Sequence, residues 1–217
     1  MQEMIQTVAI AALPVILAIT LHEAAHGYAA RHFGDPTAWQ EGRITANPLK
    51  HIDPVGTILV PIIILLLSTG GILFGWAKPV PVNFGRLRHP KQDMLWVAAA
   101  GPAANLVMLL FWATLMKLAV TLPIHFFSVP MARMAEVGIL VNLALMVLNL
   151  FPLPPLDGGR IAVSLLPRDL AWRFAKLERF GFPILLLLLF SGLLSKLLMP
   201  VMSAVMGMIY FIFQFSG

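Results

Sequence analysis

Residues 4–30 read MIQTVAIAALPVILAITLHEAAHGYAA, an apolar run interrupted by the cluster His22-Glu23-Ala24-Ala25-His26. The run is long enough to cross a bilayer with some tilt. A charged side chain at membrane depth costs roughly 3 kcal/mol on insertion scales, so its retention marks function. On a helix His22 and His26 stand four apart and share one face. Both imidazoles can then reach one metal ion, and Glu23 beside them can serve as general base toward a water. The plainer reading is two histidines satisfied by neighbouring helices. The carboxylate between them, in a helix otherwise apolar, argues for hydrolytic zinc chemistry instead.

Composition agrees with a membrane setting. The chain has 217 residues, one domain's worth, and is 59% hydrophobic and 12% charged. Mean hydropathy is +0.86. A soluble chain carries about 25% charged residues. The expected architecture is an all-α polytopic membrane protein. It has about five to six transmembrane or re-entrant helices and a small membrane-associated β element. One integral membrane domain spans 1–217, with its core at about 4–160 and C-terminal helices at about 161–217. Cysteine is absent, so any metal must be held by His, Asp or Glu. The N-terminal run does not read as a cleavable signal: it opens with Glu3 and no basic residue, and it contains the motif. The net charge of +5 fits the positive-inside bias of cytoplasmic loops better than nucleic-acid binding.

Further along, Arg31 to Asp53 is polar and rich in turn signals, and Val55–Phe74 is apolar with breaks at Pro61 and Gly70-Gly71. Trp76–Asn83 carries Pro79 and Pro81, which favour extended backbone and remove two ladder donors. That suits an edge strand open to an extended peptide, and equally a plain loop. A third segment covers about Asp93–Leu122, with the small-residue stretch Ala98–Ala104 permitting close helix approach. Pro123 and Pro130 bracket a loop. A fourth segment, about Met131–Phe151, runs into Pro152-Leu153-Pro154-Pro155-Leu156-Asp157-Gly158-Gly159. Irregular backbone at that depth survives only inside protein or beside a wet cavity. Arg160–Arg179 reads as an interfacial helix. Phe180–Leu198 and Val201–Phe215, divided at Pro200, are the last apolar segments; the final one spans or only dips in.

Charge orients the chain. With the Arg31 end inside, 12 of the 15 Lys and Arg residues fall on one side if Val55–Phe74 enters and leaves by the same face. A re-entrant hairpin is favoured over a single crossing, although the run is long enough to span.

A hydrolytic zinc site needs a third ligand and an open position. His32, His51, His89 and His125 lie in loops or at segment ends. Glu136, near Arg133, reads as part of an interfacial ion pair on the far side. Asp157 lies at the same end as His22, and the glycines after it allow close backbone approach. Asn105 follows Gly101-Pro102; if a helix restarts there its amide could donate to a substrate carbonyl or an oxyanion. Helix capping or interhelical bonding fits it equally well. Asn142 and Asn149 share a face and serve as interhelical glue, with Asn149 the nearer to Asp157.

Three motifs in order resemble the site-2 protease family: His22–His26, Gly101-Pro102-Ala103-Ala104-Asn105, and Asn149 through Gly159. These are intramembrane zinc metalloproteases that cut transmembrane helices. The likeness covers roughly residues 10–160. It implies one Zn2+ per chain on His22, His26 and Asp157, with Glu23 as general base. Asn105 and Asn149 match asparagines thought to hold substrate or the oxyanion. Trp76–Asn83 resembles the family's membrane β element, which pairs with unwound substrate. The chain lacks the PDZ and CBS domains of many members. The implied partners are a transmembrane protein substrate and the lipid bilayer. The implied location is a bacterial inner membrane, with the active site toward the cytoplasm. Two other readings remain. One is a zinc membrane protease for soluble or misfolded chains, which would want a glutamate as third ligand. The other is a non-catalytic zinc-binding membrane protein that binds transmembrane helices.

Overall fold

The computed structural model describes residues 2–67, 75–122 and 125–215, and over these the protein is helical with no strand. The helices are α1 (Gln2–His32), α2 (Thr37–Gln40), α3 (Val60–Leu67), α4 (Pro90–Thr121), α5 (His125–Asn149), α6 (Asp157–Leu165), α7 (Arg168–Ala175), α8 (Glu178–Phe190) and α9 (Leu193–Phe213). Among the described residues four helical stretches are long and apolar enough to cross a membrane: Ala9–His32, Pro90–Thr121, Ser128–Asn149 and Leu193–Phe213. The expected five to six also counted re-entrant helices, and a shorter apolar helical stretch covers Pro54–Ile64.

The helix break expected at Pro152–Pro155 is present, since α5 ends at Asn149, but other prolines lie within helices. Pro102 lies inside α4, Pro130 inside α5 and Pro200 inside α9. A proline in a helix interior removes one N–H and costs about 3 kcal/mol in water. Within a packed bundle neighbouring groups and local adjustments absorb the freed carbonyl. The C-terminal division comes instead at Ser191-Gly192, where Gly192 takes φ +72° between α8 and α9. The Gly70-Gly71 break and Pro123 lie outside the described residues.

Helices α1, α4 and α5 pack on one another, and α9 leans against α4 and α5. Without a hydrophobic drive between helices in lipid, close packing holds them, and small residues make it possible. Gly138 of α5 is one: a Cβ there would lie 2.3 Å from the Trp112 ring of α4. Trp112 is buried with Leu109, Ile139, Leu143 and Ile209.

The polypeptide between α1 and α4 begins and ends at one end of the bundle. The Arg88 N–H donates to Phe33 O at 3.0 Å, and its guanidinium donates to His32 O. Trp76 N–H donates to Gly56 O at 3.0 Å. Trp76–Asn83 forms neither helix nor strand, and four of its N–H groups are committed to loops and side chains. Lys78 N–H donates to His51 O at 2.9 Å and Asn83 N–H to Asp35 Oδ2 at 2.6 Å. Arg43, buried, donates from Nη2 to Lys78 O and Pro79 O at 3.1 and 3.2 Å. The segment is therefore a strap bound through side chains and loops. Arg133 and Glu136 are exposed and, among the described residues, make no ion pair.

Candidate metal centre

His22 and His26 lie ten and six residues before the end of α1, about 15 and 9 Å along its axis. They face α4 where it carries Gly101. A Cβ at that position would sit 2.4 Å from His26 Nε2 and 2.6 Å from His22 Cε1, so the residue must be glycine for both rings to fit. Asp157 opens α6, directly after the irregular Pro152–Leu156 stretch that follows α5. Its neighbours Gly158 and Gly159 press on that stretch. A Cβ on them would meet Leu150 O at 2.2 Å and Pro154 N at 2.3 Å. The tight return carries the carboxylate back beside the two histidines.

The three candidate ligand atoms form a nearly equilateral triangle. His22 Nε2 and His26 Nε2 are 3.2 Å apart, and each is 3.3 Å from Asp157 Oδ2. Donors about 2.0–2.1 Å from a tetrahedral zinc stand about 3.3 Å from one another, so the triangle has the size this ion imposes. The hydrogens lie on the far side of each ring. His26 Nδ1 donates to Val97 O at 2.7 Å, an atom that can only accept, and His22 Nδ1 faces Asn105 Oδ1 at 2.6 Å. Both neutral imidazoles therefore turn Nε2 lone pairs inward. Asp157 Oδ2 is buried with no hydrogen-bond partner. Two inward lone pairs and an orphaned carboxylate oxygen fit a bound cation. Among the described residues this is the one group of His, Asp or Glu side chains close enough to share a metal ion.

Glu23 sits on the same turn, and its Oε2 accepts the Val80 N–H of the strap at 2.8 Å. That fixes the carboxylate and leaves Oε1 for a water. Asn105 is not at a helix start, because α4 runs unbroken through Pro102. Its Oδ1 holds His22, and its Nδ2 donates to Ala18 O at 3.2 Å and Asn142 Oδ1 at 3.0 Å. Both amide hydrogens are thus spent within the bundle. Asn149 donates to Leu145 O of its own helix at 3.0 Å and makes no bond to the triangle. Gly101 and Val80 lie in stretches the sequence singles out, but their contacts with the histidines and Glu23 are not legible there, and Arg43 carries no mark of this site at all. A glycine between small residues, a valine between prolines and a loop arginine are each common.

Known proteins match this chain in sequence. The chain is 38% identical over 195 residues to "Putative zinc metalloprotease YwhC" of Bacillus subtilis, covering 88% of this chain and 85% of that protein. It is 33% identical over 204 residues to "Putative zinc metalloprotease Rip2" of Mycolicibacterium smegmatis, covering 93% and 72%. With the protein of the same name from Mycobacterium tuberculosis it shares 28% over 202 residues, covering 93% and 72%. No protein-family model and no solved structure matches it. With this coverage and identity, and the same ligand chemistry on the page, the chain belongs to the zinc metalloprotease family of YwhC and Rip2.

Proposed function

We propose that this protein is an intramembrane zinc metalloendopeptidase that cleaves transmembrane segments of other membrane proteins. The observation that carries the reading is the triangle of His22, His26 and Asp157, held on a membrane-length helix about 9–15 Å from its end. A soluble substrate has no reason to meet a site at that depth.

His22 Nε2, His26 Nε2 and Asp157 Oδ2 would hold one zinc. When bound, zinc supplies Lewis acidity, acidifying a water and polarising a peptide carbonyl. Glu23 takes the water's proton on Oε1, while Oε2 stays on the Val80 N–H. It then delivers that proton to the leaving amine. Asn149, with Nδ2 committed to Leu145 O, is the residue proposed to meet substrate near Asp157. Asn105 acts through His22. A helical substrate must unwind before its carbonyl is exposed, and the outer edge of the Trp76–Asn83 strap offers non-helical backbone to receive it. The clustering of basic residues on loops at the His22 end supports an inner-membrane protein with its site toward the cytoplasm.

Glu23→Gln is the test. It keeps every ligand, so zinc content stays at the wild-type level while cleavage of a co-expressed membrane substrate falls at least about 100-fold. Comparing membrane-peptide termini from cells carrying either form identifies the substrate. Termini that persist with Glu23→Gln would remove Glu23 from its role.

A further inference from the structure

We infer that Asn142 is a positioning residue for the metal centre: it sets the direction of the Asn105 amide, and through it the tautomer in which His22 offers Nε2. The inference rests on the metal reading of the site.

Asn105 and Asn142 are both fully buried, at 0% exposure, so no water can satisfy a misdirected amide. An amide can be turned over, exchanging its oxygen and nitrogen. Two main-chain carbonyls forbid that here, since each can only accept. Gly138 O lies 2.8 Å from one terminal atom of Asn142, which must therefore be Nδ2. Its Oδ1 then faces Asn105 at 3.0 Å, and the atom it faces must donate. Ala18 O, 3.2 Å from that same atom, independently requires a donor. Asn105 Oδ1 is thereby directed at His22 Nδ1, 2.6 Å away, which must carry the hydrogen.

The relay runs one way from α5 through α4 to α1. It ends with a bare Nε2 pointing at His26 and Asp157. Turning Asn105 over would place an N–H against His22 Nδ1. The ring would then move its hydrogen to Nε2, inside the ligand triangle, and that nitrogen could no longer bind a metal. Asn142 touches neither ligand nor substrate. It acts together with Ala18 O, the two acceptors jointly holding off the wrong orientation of Asn105.

The experiment is a zinc-competition titration of the full chain in detergent, with Asn142→Leu made in two backgrounds. In the native background affinity should fall about tenfold or more, the usual loss for an outer partner of a ligating histidine. In an Asn105→Asp background it should not fall, because a carboxylate presents an acceptor oxygen to His22 whichever way it turns and the change removes an acceptor facing that carboxylate. Asn142→Ala repeats the pair with a side chain too small to clash. Nitrogen shifts of 15N-histidine in the zinc-free wild type should place the His22 hydrogen on Nδ1. Equal losses in both backgrounds would reduce Asn142 to packing and overturn the relay, as would unchanged affinity in the native background or a hydrogen found on Nε2. A wild type that binds no zinc would overturn the metal reading and the relay together.

Discussion

Gly101→Ala adds one methyl group, and two opposing effects decide its outcome. Alanine is better than glycine in a helix interior by about 1 kcal/mol, so on propensity alone α4 should gain. Against this, the new Cβ would sit 2.4 Å from His26 Nε2 and 2.6 Å from the Cε1 atoms of both histidines. Comfortable contacts lie at about 3.5–4.0 Å, so the overlap is about 1 Å. The rings cannot simply swing away, because Asn105 holds one and Val97 O the other. Overpacking of this kind costs about 1–3 kcal/mol. A ligand set tolerates displacements of about 0.2 Å, so the strain falls on the metal geometry. At about 1.4 kcal/mol per decade, that range corresponds to zinc affinity weakened roughly 5- to 150-fold. Competition against a chromophoric chelator reads the affinity, and thermal melting of the zinc-free protein reads the scaffold. Gly207→Ala on α9 is the control, since its Cβ meets nothing within 4 Å. It should leave zinc binding unchanged. If Gly101→Ala bound zinc within about twofold of wild type, the close approach of α4 to the histidine pair would be wrong.

Asp157→Ala should lower zinc affinity by more than about 100-fold, beyond the loss typical of an outer partner, as measured by metal content after dialysis. Full retention would point to a different third ligand. Arg43→Ala should lower cleavage about tenfold with zinc affinity unchanged, because the guanidinium holds the strap rather than the ligands. A parallel loss of zinc would show that the strap and the metal site are one structural unit.

His22, Glu23 and His26 are legible in the sequence because helical spacing and an apolar background determine both their geometry and their cost. Asp157 is legible from its position at the right end of a segment. Other features depend on what packs against them. Pro130 and Pro200 read as breaks, yet the bundle carries them inside helices, while the turn between α8 and α9 rests on the left-handed backbone of Gly192. Asn105 reads equally as a substrate donor or as interhelical glue, since an amide does not announce its direction. Only the carbonyls of Ala18 and Gly138 supply that direction. Trp76–Asn83 has the composition of an edge strand, but its N–H groups go to Gly56, His51, Glu23 and Asp35 rather than to a neighbouring strand.

The strap's grip on Glu23 comes from a peptide nitrogen, not from a side chain. Alanine scanning would pass over position 80 without disturbing this bond, and evolution is free to vary the side chain there without releasing the carboxylate. Among natural replacements only an imino acid deletes the N–H, and at that position it would make three in a row with Pro79 and Pro81. The orientation of the base is thus written into the main chain, where a side-chain replacement at position 80 itself does not reach it.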